Sequence, residues 1–76
     1  MKNGDEGFNY ARYARAIEEA LDRLAAKNGV VDTRQIRLET SVPKDLLIEV
    51  LDKGIVDFPE RIEEIVDSEE GKEWKR

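Results

Sequence analysis

Arg12, Arg15, Arg23 and Lys27 recur at three- and four-residue steps with Glu19 among them, and on a helix such steps put them on one stripe. Four cations less one carboxylate leave +3 there, with Arg34 a short way downstream. A stripe of this kind can contact phosphate oxygens without reading bases. The same spacing also suits an ordinary solvated face, since Glu19 and Arg23 stand at the i, i+4 spacing of an ion pair. Glu60, Glu63, Glu64 and Asp67, with Glu69 and Glu70 beyond, are the acidic counterpart, suited either to a basic partner or to keeping a helix face in water. The parts of hydrolytic and redox chemistry are missing. The chain has no histidine and no cysteine, so the commonest general base, the thiol nucleophile and most zinc ligand sets are absent. Ser41 and Ser68 have no evident base, and Gly4, Gly7, Gly29, Gly54 and Gly71 are too scattered for a phosphate-cradling loop. The aspartate spacing of a calcium loop is absent too. These residues point away from an enzyme, and they call for no cofactor, no metal and no small-molecule substrate.

The 76 residues suit one small domain with a limited core. Charged residues make up 41% of the chain, with three Asn and one Gln, a composition that leans toward a thermophile's. Residues 1–42 carry seven Lys/Arg against seven Asp/Glu, and residues 43–76 carry six against eleven, so the whole net charge of −5 sits in the second half. No basic-then-apolar leader is visible. The longest apolar run, Leu46-Leu47-Ile48, is far below the ~20 residues needed to span a bilayer. With no cysteine to oxidise, the expected setting is the cytoplasm, away from membrane.

Positioning such side chains falls to helices. Residues 1–8 are expected to be a flexible N-terminus and 9–70 a single domain. Asn9–Lys27 carries an amphipathic stripe at Tyr10, Tyr13, Ala14, Ile17, Ala20, Leu21 and Leu24. Asn9 is its N-cap, Phe8 and Tyr13 stand as a hydrophobic staple, and Lys27 with Asn28-Gly29 forms its stop. Val30-Val31 reads as a buried connector. Asp32 and Gln35 form a capping box before a second helix, Thr33 to about Thr40, although the alternation of Ile36, Leu38, Thr40 and Val42 also suits a strand. Pro43 opens a third helix to about Lys53, burying Leu46, Leu47, Val50 and Leu51, with Gly54 after it. Ile55–Phe58 reads as extended. Asp57-Phe58-Pro59-Glu60 and the spacing of Ile62, Ile65 and Val66 then predict a fourth helix, Pro59 to about Glu69. The alternative for 55–67 is a β-hairpin wing turning near Pro59-Glu60. Residues 71–76 read as a polar tail carrying Trp74.

The stretch Val31–Val56 resembles the helix-turn-helix core of winged-helix and related tri-helical domains. Ile36 takes the first apolar place, Ser41-Val42 the turn, Leu47 and Leu51 the second helix, and Leu51-Asp52-Lys53-Gly54-Ile55-Val56 looks like the passage into a first wing strand. Arg37 stands where a small residue is usual, and Ser41 where glycine is. The expected fold is therefore mainly α: three or four helices with a helix-turn-helix core, and a small β-hairpin wing as the alternative to the fourth helix.

The resemblance implies that Pro43–Lys53 is the helix presented to a partner, with Lys44, Asp45, Ile48, Glu49 and Asp52 facing solvent. Three of these five are acids, which duplex phosphate repels. Ile48 stands as an apolar spot ringed by charge, or else belongs to the core, and Trp74 either anchors an interface or folds back over the core. The expectation is a non-enzymatic regulatory or adaptor module that binds a protein partner or itself. The alternative is a small DNA-binding transcriptional regulator making phosphate contacts through Arg12, Arg15, Arg23, Lys27 and Arg34.

Overall fold

Asn9 begins the first helix by accepting a hydrogen bond from the Arg12 backbone N–H. A computed structural model describes residues 9–76; the flexible N-terminus expected over 1–8 and the staple through Phe8 lie outside them. Chain order runs α1 Tyr10–Arg23, β1 Val30–Asp32, α2 Thr33–Thr40, α3 Lys44–Asp52, β2 Glu64–Asp67 and β3 Lys72–Lys75. Three helices thus stand with one small sheet, in strand order β1-β2-β3. β1 and β2 run parallel with Val31 opposite Ile65, and β2 and β3 antiparallel with Ile65 opposite Trp74.

The capping logic of the middle of the chain holds. Asp32 accepts from the Arg34 N–H, and Gln35 reaches back to the Asp32 N–H, so the capping box sets the start of α2. Thr33–Thr40 is helical rather than a strand. Ser41 follows in the left-handed conformation, φ 64°, the geometry that makes glycine usual at this position. Pro43 caps α3, and Gly54 leaves it at φ 69°.

Two boundaries differ from expectation. α1 stops at Arg23, not Lys27. Asn28 and Gly29, both at positive φ, form a tight turn in which Lys27 and Val30 exchange backbone hydrogen bonds at 3.2 and 3.0 Å. Asn-Gly acts here as a hairpin-type turn feeding β1 and not as a helix stop. Lys27 therefore lies off the helix.

The fourth helix over 59–69 does not form. One turn closes at Pro59, where the Ile62 N–H donates to its carbonyl, and then Glu63 and Glu64 both donate to the Gly29 carbonyl. Those two bonds deliver the chain to β1 as strand β2. The hairpin expected over 55–67 with a turn near Pro59-Glu60 does not form either: the hairpin present joins β2 to β3, its turn lies at 68–71, with Gly71 at φ 70°, and its second strand is the stretch expected to be a tail. Residues 55–58 stay irregular.

The core joins all these elements. Ala14, Ile17 and Leu21 of α1 meet Val31, Ile36, Val42, Leu47, Val50 and Leu51, closed by Ile62 and Ile65 from the hairpin side. Tyr10, Tyr13, Leu46, Phe58 and Trp74 pack around it half-buried.

Candidate functional site

α3 is the element the resemblance assigns to a partner. With Leu47, Val50 and Leu51 buried, helical geometry turns Asp45, Glu49 and Asp52 outward, and all three are exposed. The outermost face of α3 is therefore carboxylate only. Even these acids are partly engaged. Glu49 accepts a short hydrogen bond from the Tyr10 hydroxyl. Asp52 accepts from Trp74 Nε1 at 2.9 Å and from Lys72 Nζ at 3.0 Å, and those two donors hold its carboxyl below the ordinary range.

Lys44, Ile48 and Asp52 form a second line at four-residue spacing, and both its ends lean to the hairpin. The Lys44 side chain is only 20% exposed; its ammonium lies 2.6 Å from Glu69, 3.2 Å from Glu70 and 3.8 Å from Asp67. The Glu69 hydrogen bond is the main reason its pKa rises despite partial desolvation, with Glu70 and Asp67 adding to it. Glu69 is lowered in turn, first by that same bond. Ile48, between Lys44 and Asp52, is half-buried. This corrects two sequence readings: Lys44 is not a free solvent-facing cation, and Ile48 does not project as an exposed apolar spot.

At the centre of the cluster is Asp67, which is 1% exposed. Burial alone would raise its carboxyl. The Glu70 backbone N–H, the Thr33 hydroxyl at 2.8 Å, the Lys44 charge and the Glu69 N–H outweigh burial and hold it below 3.8. Ser68 donates to Asp32 at 3.0 Å beside it, and Arg34 approaches Glu69 at 3.7 Å. One buried carboxylate and its neighbours thus tie the hairpin turn to the starts of both α2 and α3.

The basic stripe is dispersed by the fold. Arg12, Arg15 and Arg23 are exposed on α1, but Glu19 and Asp22 share that exposed face, leaving three cations against two acids. Arg23 is also spent on Glu39 at 2.8 Å. Lys27 lies beyond the helix end, and Arg34 belongs to the α2 cluster. Trp74 folds back against the core, with Lys72 over its ring, and does not stand free.

Sequence reasoning missed Arg61. Its guanidinium donates to the Leu24 and Leu21 carbonyls at 2.7 and 2.6 Å, satisfying the C-terminal end of α1 from 37 and 40 residues away. No local signal announces such a contact. Leu38, part of the alternating pattern that suits a strand, stands in solvent on α2 and is 82% exposed. Beside β3 lies an open groove of about 600 Å³, lined by Leu51, Val56, Phe58 and Trp74 and rimmed by Lys75 and Arg76. Among the described residues no group of three or more acidic side chains is placed to hold a metal ion, and no helix is long and apolar enough to cross a membrane.

Comparison with protein-family models, with curated proteins and with solved structures finds no match to this chain.

Proposed function

We propose that this domain is a winged-helix-like, non-catalytic regulatory or adaptor module of the cytoplasm that acts by binding protein, a partner or a second copy, rather than duplex DNA. The element order helix–strand–helix–helix–strand–strand, with a left-handed Ser41 in the turn between α2 and α3, supports the winged-helix reading. The observation that carries the function is the outer face of α3. Asp45, Glu49 and Asp52 occupy the positions that would enter a major groove, where Arg, Lys, Asn and Gln are the useful readers. A protein surface bearing Lys and Arg complements the same face. The exposed Leu38 offers such a partner an apolar contact at little cost to folding.

The test is fluorescence anisotropy of a mixed-sequence duplex titrated at two salt concentrations, paired with charge reversal of α3. Expected is no DNA binding even at low salt, and loss of co-purifying partners in Asp45→Lys/Glu49→Lys with the fold intact by circular dichroism. Salt-sensitive DNA binding that disappears in Arg12→Glu/Arg15→Glu would overturn the proposal in favour of a DNA-binding regulator.

A further inference from the structure

β3 is an edge strand, and its pattern of free groups and charges fits one partner. The Arg76 N–H donates to the Glu63 carbonyl at 2.9 Å, in line with the register that sets Glu64 opposite Lys75. Antiparallel pairing alternates, so residues 72, 74 and 76 turn their backbone groups to β2, and Glu73 and Lys75 turn theirs outward. Among the described residues neither outward pair of N–H and C=O groups has a hydrogen-bond partner. The side chains of Glu73 and Lys75 are both exposed on the outer sheet face, opposite the face where Trp74 packs on the core.

Charge then selects the register of a second strand. An antiparallel copy of β3 must pair outward residues with outward residues. Centring the two-fold axis on Glu73 sets carboxylate against carboxylate, and centring it on Lys75 sets ammonium against ammonium. Centring it on Trp74 pairs Glu73 with Lys75 of the second copy and Lys75 with its Glu73. Opposite charges directly across a ladder stabilise it, and like charges oppose it. Lys72 falls opposite Arg76 of the second copy, but on the other face, where Asp52 holds the ammonium and the Glu60 carbonyl holds the guanidinium. Glu73 also has a reason to accept a cation. It crowds Glu64 on the outer face, raising the Glu64 carboxyl through a shared hydrogen bond, with burial and direct repulsion adding and Lys75 only partly offsetting them.

We propose that β3 pairs antiparallel with β3 of a second copy about a two-fold axis at Trp74, making one continuous six-stranded sheet. This rests on the reading of the domain as a binding module and supplies one partner for it. The pairing adds four backbone hydrogen bonds and two ion pairs over a short seam, which makes the dimer a weak one.

The test is sedimentation velocity of the full chain from about 5 to 500 µM. Expected is concentration-dependent dimerisation in the parent. Glu73→Lys and Lys75→Glu alone each raise Kd at least about tenfold. An equimolar mixture of the two variants regains the dimer, because both pairs on the outer face, 73 with 75 and 75 with 73, are then opposite in charge. Circular dichroism checks that each variant folds, and recovery in the mixture itself requires both to be folded. In the parent dimer, hydrogen exchange slows at the Glu73 and Lys75 amides but not at Trp74. A parent that stays monomeric, an edge that pairs only with an unrelated extended peptide, or single variants that dimerise as the parent does would each overturn the proposal. None of these outcomes touches the α3 reading, which stands or falls on the DNA titration and the α3 reversals.

Discussion

The two ends of the β2–β3 hairpin are secured by opposite means. At the turn end, side chains do the fastening: Asp67 takes Thr33 and the Glu70 N–H, Ser68 takes Asp32, and Lys44 sits among Asp67, Glu69 and Glu70. At the open end, the fastening is to backbone: Arg61 on the Leu21 and Leu24 carbonyls, Arg76 on the Glu60 carbonyl, and Glu18 on the Asp57 N–H. A hairpin tip is ordinarily the part that frays. Here the tip is bonded to two helix starts, and an open groove lies beside the other end. The contrast shows that a small core can hold a peripheral sheet by converting one inward-facing position into a polar hub.

Breaking the turn end has the largest expected effect. Asp67→Ala leaves the Thr33 hydroxyl and the Glu70 N–H without their acceptor and opens a cavity beside them, while Lys44 keeps Glu69 and Glu70. The expected loss is about 3 kcal/mol, read from urea melts, with a shallower slope if the hairpin alone detaches. A loss near zero would mean the hub is ornamental. The same site gives a pH signature. Because the folded-state pKa of Asp67 is depressed, its contribution is present above its ordinary value of 3.8 and disappears as pH falls through the lower folded value. Asp67→Asn should therefore flatten the acid limb of the stability profile below about pH 4, and an unchanged limb would assign acid unfolding elsewhere.

Arg61→Ala attacks the open end. It removes two hydrogen bonds to the last carbonyls of α1, one exposed and one part-buried, so a loss of about 1 kcal/mol is expected. Arg61→Lys should recover only part of it, since one ammonium cannot fork to both carbonyls as a guanidinium does. If Arg61→Ala costs more than Asp67→Ala, the ranking of the two ends is reversed. Leu38→Ser belongs to neither end and serves as the reference. At 82% exposure its stability should stay within about 0.5 kcal/mol of the parent, while partner binding weakens if Leu38 lies in the interface.

The same division explains what could be read from residue types and spacing. Asn9, the Asp32–Gln35 box, Pro43 and Gly54 act within one turn of where they stand, so the ends they set were legible, and so were the buried Leu47, Val50 and Leu51. β2 was not. Its inward positions are Ile65 and Asp67, and a carboxylate at the second of them hid the two-residue period, while Ile62 and Ile65 imitated helical spacing. Only the presence of Thr33 and Lys44, 34 and 23 positions earlier in the chain, makes Asp67 an interior residue. The acidic character of α3 was visible in advance. That Lys44, Glu49 and Asp52 are already engaged within the molecule was not, because their partners come from α1 and the hairpin.

The parallel pairing of β1 with β2 also makes the polar hub depend on a long-range closure. Antiparallel β2 and β3 meet across a short turn, but Val31 meets Ile65 only after the intervening chain, α2 and α3 included, has been brought round. That closure costs more chain entropy than the hairpin turn does. Without it Ile65 lacks Val31, and Asp67 lacks Thr33 and Lys44. The polar hub is therefore a latch that exists only once assembly is complete.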